Sequence, residues 1–389
     1  MKLERRAFLR MVPGMALAAG SARTAFAAEE PLRVGSILSV TGPAAFLGED
    51  MKAGLQIAVD EINAAGGIAG RKIAWTFYDA ESQTQKAISE TRRLISQDKV
   101  QVIVSGGNMS GIALAMAPMA EAAQIPFISS EGALQIVTPV AERKWVFKAT
   151  VDDEDVLDRI ADYCVKKGIK KVALIADSSG FGQGAAVQMK KVGPRRGLDV
   201  AYETFAPADT DMLPQLTRIR DGGAEAIICW TVTPAGVVFI KQAQQLGLDK
   251  RTLIHSYGFV SANYMKLAGD AAQNLLLASL KFPVADQLPD KDPLKAGILR
   301  LFEAYKAKFG RPPSLYAAES YDAAMLAKVA LEKVGGDVSK LPQGLETVKG
   351  YAGMSGVFNF SPEKHSGLAK NDIVLINWKN DRFNLADYE

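Results

Sequence analysis

The stretch Val102–Val137, VIVSGGNMSGIALAMAPMAEAAQIPFISSEGALQIV, holds an apolar strand, a turn of small polar residues, a helix, a second apolar strand and another such turn. A strand running straight into a helix is the unit of a parallel α/β sheet, and such sheets collect their ligands at the carboxyl ends of the strands. Here two adjacent strands end in SGGNMSG and SSEGAL. Neither loop carries a nucleophile–base pair or a metal cluster. Both offer hydroxyls, backbone N–H groups and, at Asn108, an amide. These groups suit binding.

The same alternation extends in both directions. Leu32–Val40 reads as a strand, Thr41–Gly48 as a turn, and Glu49–Asn63 as a helix with apolar residues near the 3.6 period at Met51, Leu55, Ala58, Val59 and Ile62. Lys72–Tyr78 is a strand and Thr84–Gln97 a helix. From Lys171 the pattern starts again: strand Lys171–Ala176, turn Ser178–Gly184, helix Ala185–Lys191, strand Asp199–Phe205, helix Met212–Asp221, strand Ala224–Val232, helix Pro234–Gln245 and strand Thr252–Ser256. The two halves are displaced by roughly 140 residues, and the first strand of each leads to an aromatic beside a glycine (Phe46-Leu47-Gly48, Phe181-Gly182). Two related lobes are expected. Strand Leu275–Leu280 follows, then helices Pro293–Phe309 and Ala317–Val334, a helical piece Leu341–Gly350, and strands Ser355–Phe360 and Asp372–Trp378. The long helices need a sheet to cover, so the chain should return to the first lobe and cross back at its end. Several crossings make a hinge.

At 389 residues, 48% of them hydrophobic, the chain can bury more than one core. Its start is set aside. Arg5-Arg6-Ala7-Phe8-Leu9-Arg10, the apolar run Met11–Gly20 and the A-x-A pattern Ala25-Phe26-Ala27 read as an export signal cleaved near Ala27, and the arginine pair resembles a twin-arginine signal. Removing Met1–Ala27 takes five basic residues from 46 and one acidic residue from 43, leaving 41 and 42, a net charge of −1. The mature chain thus has no basic excess for nucleic acid or an anionic membrane. Cys164 lies in a helical pattern and Cys229 in a strand pattern, so two buried thiols are expected over a disulfide.

Enzymatic readings find little support. His255 and His365 are the only histidines, and no spacing matches a metal site. His255 ends a strand and could reach a cleft as a base, but a buried or rim histidine is the simpler account. Gly180-Phe181-Gly182-Gln183-Gly184 places its third glycine one residue early for a dinucleotide fingerprint, and no acid ends the next strand. No cofactor is expected. For binding, helix N-termini suit a carboxylate: Ser110 starts one helix, and Glu131-Gly132-Ala133 follows the next strand. A plain N-cap is the competing role for Ser110. Phe46, Leu47 and Phe181 could wall a cleft from both lobes, or simply fill the core.

Four motifs resemble the periplasmic solute-binding proteins of the leucine/isoleucine/valine-binding type that serve ABC importers. They are Val59–Gly70 (VDEINAAGGIAG), Thr41-Gly42-Pro43-Ala44, Pro126-Phe127-Ile128-Ser129 and Phe181-Gly182-Gln183-Gly184. The resemblance implies an α/β type I binding-protein fold: two doubly wound parallel-sheet lobes joined by a three-segment hinge. The lobes are expected at 31–150 plus 281–354 and at 151–280 plus 355–389. It also implies that Ser110 and the loop Glu131–Ala133 hold a ligand carboxylate, that Phe181 closes over it, that Leu47 lines an apolar pocket, and that Val232 is a second-lobe contact. Partners would be a small-molecule carboxylate and membrane permease subunits, with a monomer in the periplasm. The loop His255-Ser256-Tyr257-Gly258 lacks the acid that pairs with an α-ammonium in amino-acid binders, and Ala133 lacks a hydroxyl. An unpaired buried ammonium costs several kcal/mol. The expected ligand is therefore an aromatic or branched acid without an ammonium, ahead of a hydrophobic amino acid, with Tyr257 as a neutral partner. A ligand sensor of the same fold and a secreted enzyme are the other readings.

Overall fold

The computed structural model describes residues 30–273 and 275–386; the expected export signal, Met1–Ala27, lies outside them. The first lobe is built from β1 (Leu32–Leu38), α1 (Ala45–Ala64), β2 (Ile73–Asp79), α2 (Thr84–Ser96), β3 (Val102–Gly106), α3 (Ser110–Ala123), β4 (Phe127–Ser129) and β5 (Val146–Lys148). Its five strands are parallel in the order β2-β1-β3-β4-β5. After α4 (Asp153–Lys166) the second sheet takes β6 (Lys171–Asp177), α5 (Gly180–Arg195), β7 (Asp199–Phe205), α6 (Leu213–Asp221), β8 (Ala226–Trp230), α7 (Ala235–Gln245), β9 (Thr252–His255), α8 (Ala262–Ala268) and β10 (Leu276–Leu280). These strands repeat the first order, β7-β6-β8-β9-β10. The internal repeat expected from the spacing is therefore present in the topology. Fully buried runs such as Ala226–Trp230 are what strands covered on both faces require.

The rest of the chain completes both lobes. α9 (Lys295–Phe309) and α10 (Leu315–Lys333) pack on α1, and a short α11 (Leu341–Glu346) packs on α10. Gly54 lets α1 and α10 touch, since a Cβ there would lie 2.1 Å from the Ala317 carbonyl oxygen. Ten consecutive residues of α10, Leu315–Ala324, are buried. A ribbon of β11 (Tyr351–Ala352) and β12 (Val357–Phe358) precedes β13 (Ile373–Lys379) and β14 (Arg382–Leu385), which extend the second sheet. β13 runs antiparallel to β10, and the terminal strands expected to cross back to the second lobe thus form an antiparallel edge on its parallel sheet. The chain thus passes between the sheets three times, at 149–152, 281–294 and 359–372.

Two turns expected from sequence are helical instead. α1 begins at Ala45, so Phe46 and Leu47 sit in its first turn and not in a loop. α5 begins at Gly180 because the Ser179 hydroxyl caps it, accepting from the Phe181 and Gly182 N–H groups. The expected strand Ser355–Phe360 is reduced to the two residues of β12. Both cysteines are buried and unbonded, and burial pushes the Cys164 thiol up to about 12, which keeps it protonated and inert. No helix among the described residues is long and apolar enough to cross a membrane.

Candidate functional site

A cavity of about 190 Å³ lies between the lobes. It opens at the carboxyl ends of β3 and β4 on one side and of β6, β8 and β9 on the other, beside the switch points where strand order reverses. A dry apolar cavity of about 150 Å³ already accepts benzene, so this volume suits a single ring or a short branched chain. Asn108, Ser110, Glu131, Gly132, Phe181, Val232 and Tyr257 all line it. The lobes meet around it: Gly180 packs against Gly111, and the Tyr257 hydroxyl lies against Gly132.

Three residues expected at the site are elsewhere. Leu47 points into the first-lobe core and is 1% exposed, because the helix starting at Ala45 turns it inward with Met51 and Leu55. Phe46 faces a separate cleft and packs edge-on to Tyr264 and Tyr316, with ring centroids 5.0 and 6.4 Å apart. Ala133 is buried beneath the wall, and its N–H is donated to the Ser110 hydroxyl at 3.3 Å.

The side chains that do line the cavity divide into braces and free groups. Asn108, at positive φ, spends its amide on the end of β1, accepting from Ser39 N–H and donating to the Ser39 and Ala44 carbonyls. The Glu131 carboxylate turns inward and accepts from the Gly106, Asn108 and Ser130 N–H groups and the Ser129 hydroxyl. It ties the two first-lobe loops together. Burial nonetheless holds its pKa above the ordinary carboxylate range. Phe181, Trp230 and Tyr257 form an aromatic cluster with centroids 5.3–6.0 Å apart. The Tyr257 hydroxyl is buried with no partner among the described residues, and burial pushes its pKa well up. Tyr257 is therefore a neutral group with a free O–H.

Several backbone groups around the cavity are already engaged and others are not. The carbonyls of three lining residues are already met from behind: Gly132 by Lys148 Nζ at 2.6 Å, Val232 by the Tyr264 hydroxyl at 3.0 Å, and Gly258 by the Tyr316 hydroxyl at 2.7 Å. By contrast, the N-terminus of α3 has no side-chain cap, and among the described residues nothing accepts from Ser110 N–H or Gly111 N–H. Those groups and the helix dipole favour an anion. No lysine, arginine or histidine lines the cavity.

Sequence reading missed Met51, Met109, Ile112, Tyr316 and Glu319, which also line the cavity, and Lys148 directly behind it. Tyr316 and Glu319 carried only a weak signal, since α10 also holds Ser320, Tyr321 and Asp322 beside them; Lys148 carried none. His255 is fully buried, stacked on Phe259 at 3.8 Å, and burial drives its pKa well below the usual value. It packs the second-lobe core. No group of metal ligands occurs among the described residues.

The sequence profile described as periplasmic binding protein matches residues 31–382. Leu/Ile/Val-binding protein homolog 7 of Brucella abortus is 27% identical over 380 residues, spanning 94% of this chain and 93% of the relative. The branched-chain amino acid transporter substrate binding protein LivJ of Streptococcus pneumoniae, solved with isoleucine, superposes with a TM-score of 0.77 at 27% identity over 91% of this chain and 98% of that one. An ABC transporter solute binding protein of R. palustris, solved with benzoate, superposes at 0.78 with 24% identity over 91% and 95%.

Proposed function

The chain belongs to the periplasmic binding protein family, and from that premise we propose that it is the solute-binding component of an ABC importer, closing its lobes over a small carboxylate that carries no ammonium. The relatives are binding proteins, not enzymes, and the secreted-enzyme reading falls with them. One observation carries the ligand class: among the described residues the cavity offers the unpaired Ser110 and Gly111 N–H groups and the Ser110 and Tyr257 hydroxyls as donors, while the carbonyls of Gly132, Val232 and Gly258 are occupied. A carboxylate accepts from such donors. An α-ammonium needs acceptors and would find few, and leaving it unpaired costs several kcal/mol. The benzoate-bound relative supports an aromatic acid, and the isoleucine-bound one keeps a hydrophobic amino acid as the second reading. The Arg5-Arg6 and Ala25-Phe26-Ala27 segment supports export to the periplasm, with cleavage near Ala27, and we expect a monomer that delivers its ligand to permease subunits.

A thermal-shift screen tests the ligand class. Benzoate or a branched aliphatic acid at about a hundred times its dissociation constant should add about 2.7 kcal/mol of stability. Stabilisation by leucine or valine with none by these acids would overturn the reading. Within the site, Ser110→Ala should weaken binding of the same acid about tenfold, the value of one hydrogen bond to a charged group. Calorimetric titration checks it: unchanged affinity would remove Ser110 from the carboxylate site.

A further inference from the structure

Glu319 has no counterpart among the expected ligand contacts. It sits on α10, 3% exposed, and lines the cavity from the first lobe. One carboxyl oxygen accepts from the Thr150 hydroxyl at 2.6 Å, and Thr150 belongs to the first crossing between the lobes. Among the described residues no hydrogen bond reaches the other oxygen. The cavity therefore holds two carboxyl groups and no cation. Glu131 is saturated by four donors, whereas Glu319 keeps one oxygen free.

An anionic ligand could not share a dry cavity with an ionised Glu319, since like charges at contact distance are strongly unfavourable there. Protonated, the same side chain becomes a donor pointing where donors are needed. We infer that Glu319 binds the ligand as a neutral carboxylic acid, donating its proton in a hydrogen bond to the ligand carboxylate, so that capture of the anion is coupled to one proton. This rests on the acid-ligand reading above. At high pH the proton comes from solvent on binding: ionised Glu319, a proton and the anion give neutral Glu319 hydrogen-bonded to the anion.

The surroundings favour the neutral form. Burial, with Glu131 and Asp322 adding to it, pushes the Glu319 carboxyl up to about 8 against the opposing pull of the Thr150 hydrogen bond and the buried Lys148 ammonium. Tyr257 and Tyr316 face it as neutral phenols. The α1 acids behind α10 are engaged elsewhere, Asp50 with Arg311 and Tyr305, and Glu61 with Arg300 and Tyr321. Glu346 of α11 faces His365.

The test is calorimetric titration with benzoate, an anion throughout the range, from pH 6 to 9.5. The dissociation constant should be flat at the acid end and then rise about tenfold per pH unit above the Glu319 pKa. Glu319→Gln, which keeps a neutral donor, should bind with no such slope. Titration of the unaltered protein in two buffers of different ionisation enthalpy needs no variant and should show net proton uptake near pH 8. A flat profile without proton uptake would overturn the role of Glu319 and leave the acid-binding function standing. Affinity that tightens with pH would mean an ionised Glu319 in the complex, and would also overturn it. If benzoate and aliphatic acids fail to bind at every pH while leucine binds, both readings fall.

Discussion

Gly132→Ala should weaken ligand binding about 100-fold while the free protein stays folded. The backbone at Gly132 is not in the left-handed region, so an L side chain brings no strain of its own. The added Cβ would, however, lie 1.4 Å from the Tyr257 Oη and 3.2 Å from Phe181 Cε2. Both obstacles belong to the second lobe. The clash therefore exists only when the lobes are together, and rotation about the crossing segments relieves it. Forcing a methyl into a packed contact costs about 1–3 kcal/mol or more, and about 3 kcal/mol corresponds to the predicted loss. Calorimetry of ligand binding, beside thermal melting of the ligand-free variant, separates closure from folding. Adding Tyr257→Ala should recover part of the affinity, because the second change removes the first one's obstacle, and such pairs are not additive. Affinity within threefold of the parent would show that the ligand is held without this contact.

What the sequence could reveal here depended on whether a residue's role was local. The paired lobes were legible because strand–helix alternation repeats at a fixed displacement, and because SGGNMSG and SSEGAL end strands at a sheet's ligand-binding edge. Asn108, Ser110, Glu131 and Gly132 do stand there. Their division of labour was hidden. Glu131 is recruited by N–H groups of a loop some 25 residues away, and Asn108 by the end of β1. The misplacement of Phe46 and Leu47 has a local cause. Ala44 at the start of α1 makes no side-chain cap, so the turn Thr41–Gly48 carried no stop or start signal beyond glycine and proline. The stripe Leu47, Met51, Leu55, Ala58, Ile62 was a usable clue, since a helix begun earlier buries all five. At α5 the reverse held: Ser179 was available as a cap, and the glycines after it masked the signal. Glu319 is one of three acids in α10, with Asp322 and Glu332, and nothing local singles it out. That it faces the cavity follows only once α10 is laid against the first sheet.

The residue least legible from sequence carries the other large effect. Lys148→Met should destabilise the protein by about 3–5 kcal/mol, because it leaves a buried charge without its partner. Lys148 ends a three-residue strand, where a lysine reads as a solvated end, yet it is wholly buried. Its ammonium pairs with Asp152 at 2.6 Å and donates to the Gly132 carbonyl. Asp152 in turn accepts from the Ser366 hydroxyl at 2.7 Å, and the backbone of Lys148 pairs with 365–367. Lys148 and Asp152 thus join the Gly132 loop and the first crossing to the third crossing, more than 200 residues further on. Methionine keeps the volume and removes the charge, so Asp152 is left with a hydroxyl alone. Urea unfolding should show the loss in its midpoint. Lys148→Met with Asp152→Leu should recover most of it, short of about 1 kcal/mol for the Ser366 hydroxyl left unpaired. A single variant within 1 kcal/mol of the parent, or a double variant worse than the single, would refute the charge pair as the brace. Recovered stability without recovered ligand affinity would locate the lasting role of Lys148 in holding the Gly132 carbonyl, and with it the N–H side of that loop, toward the cavity.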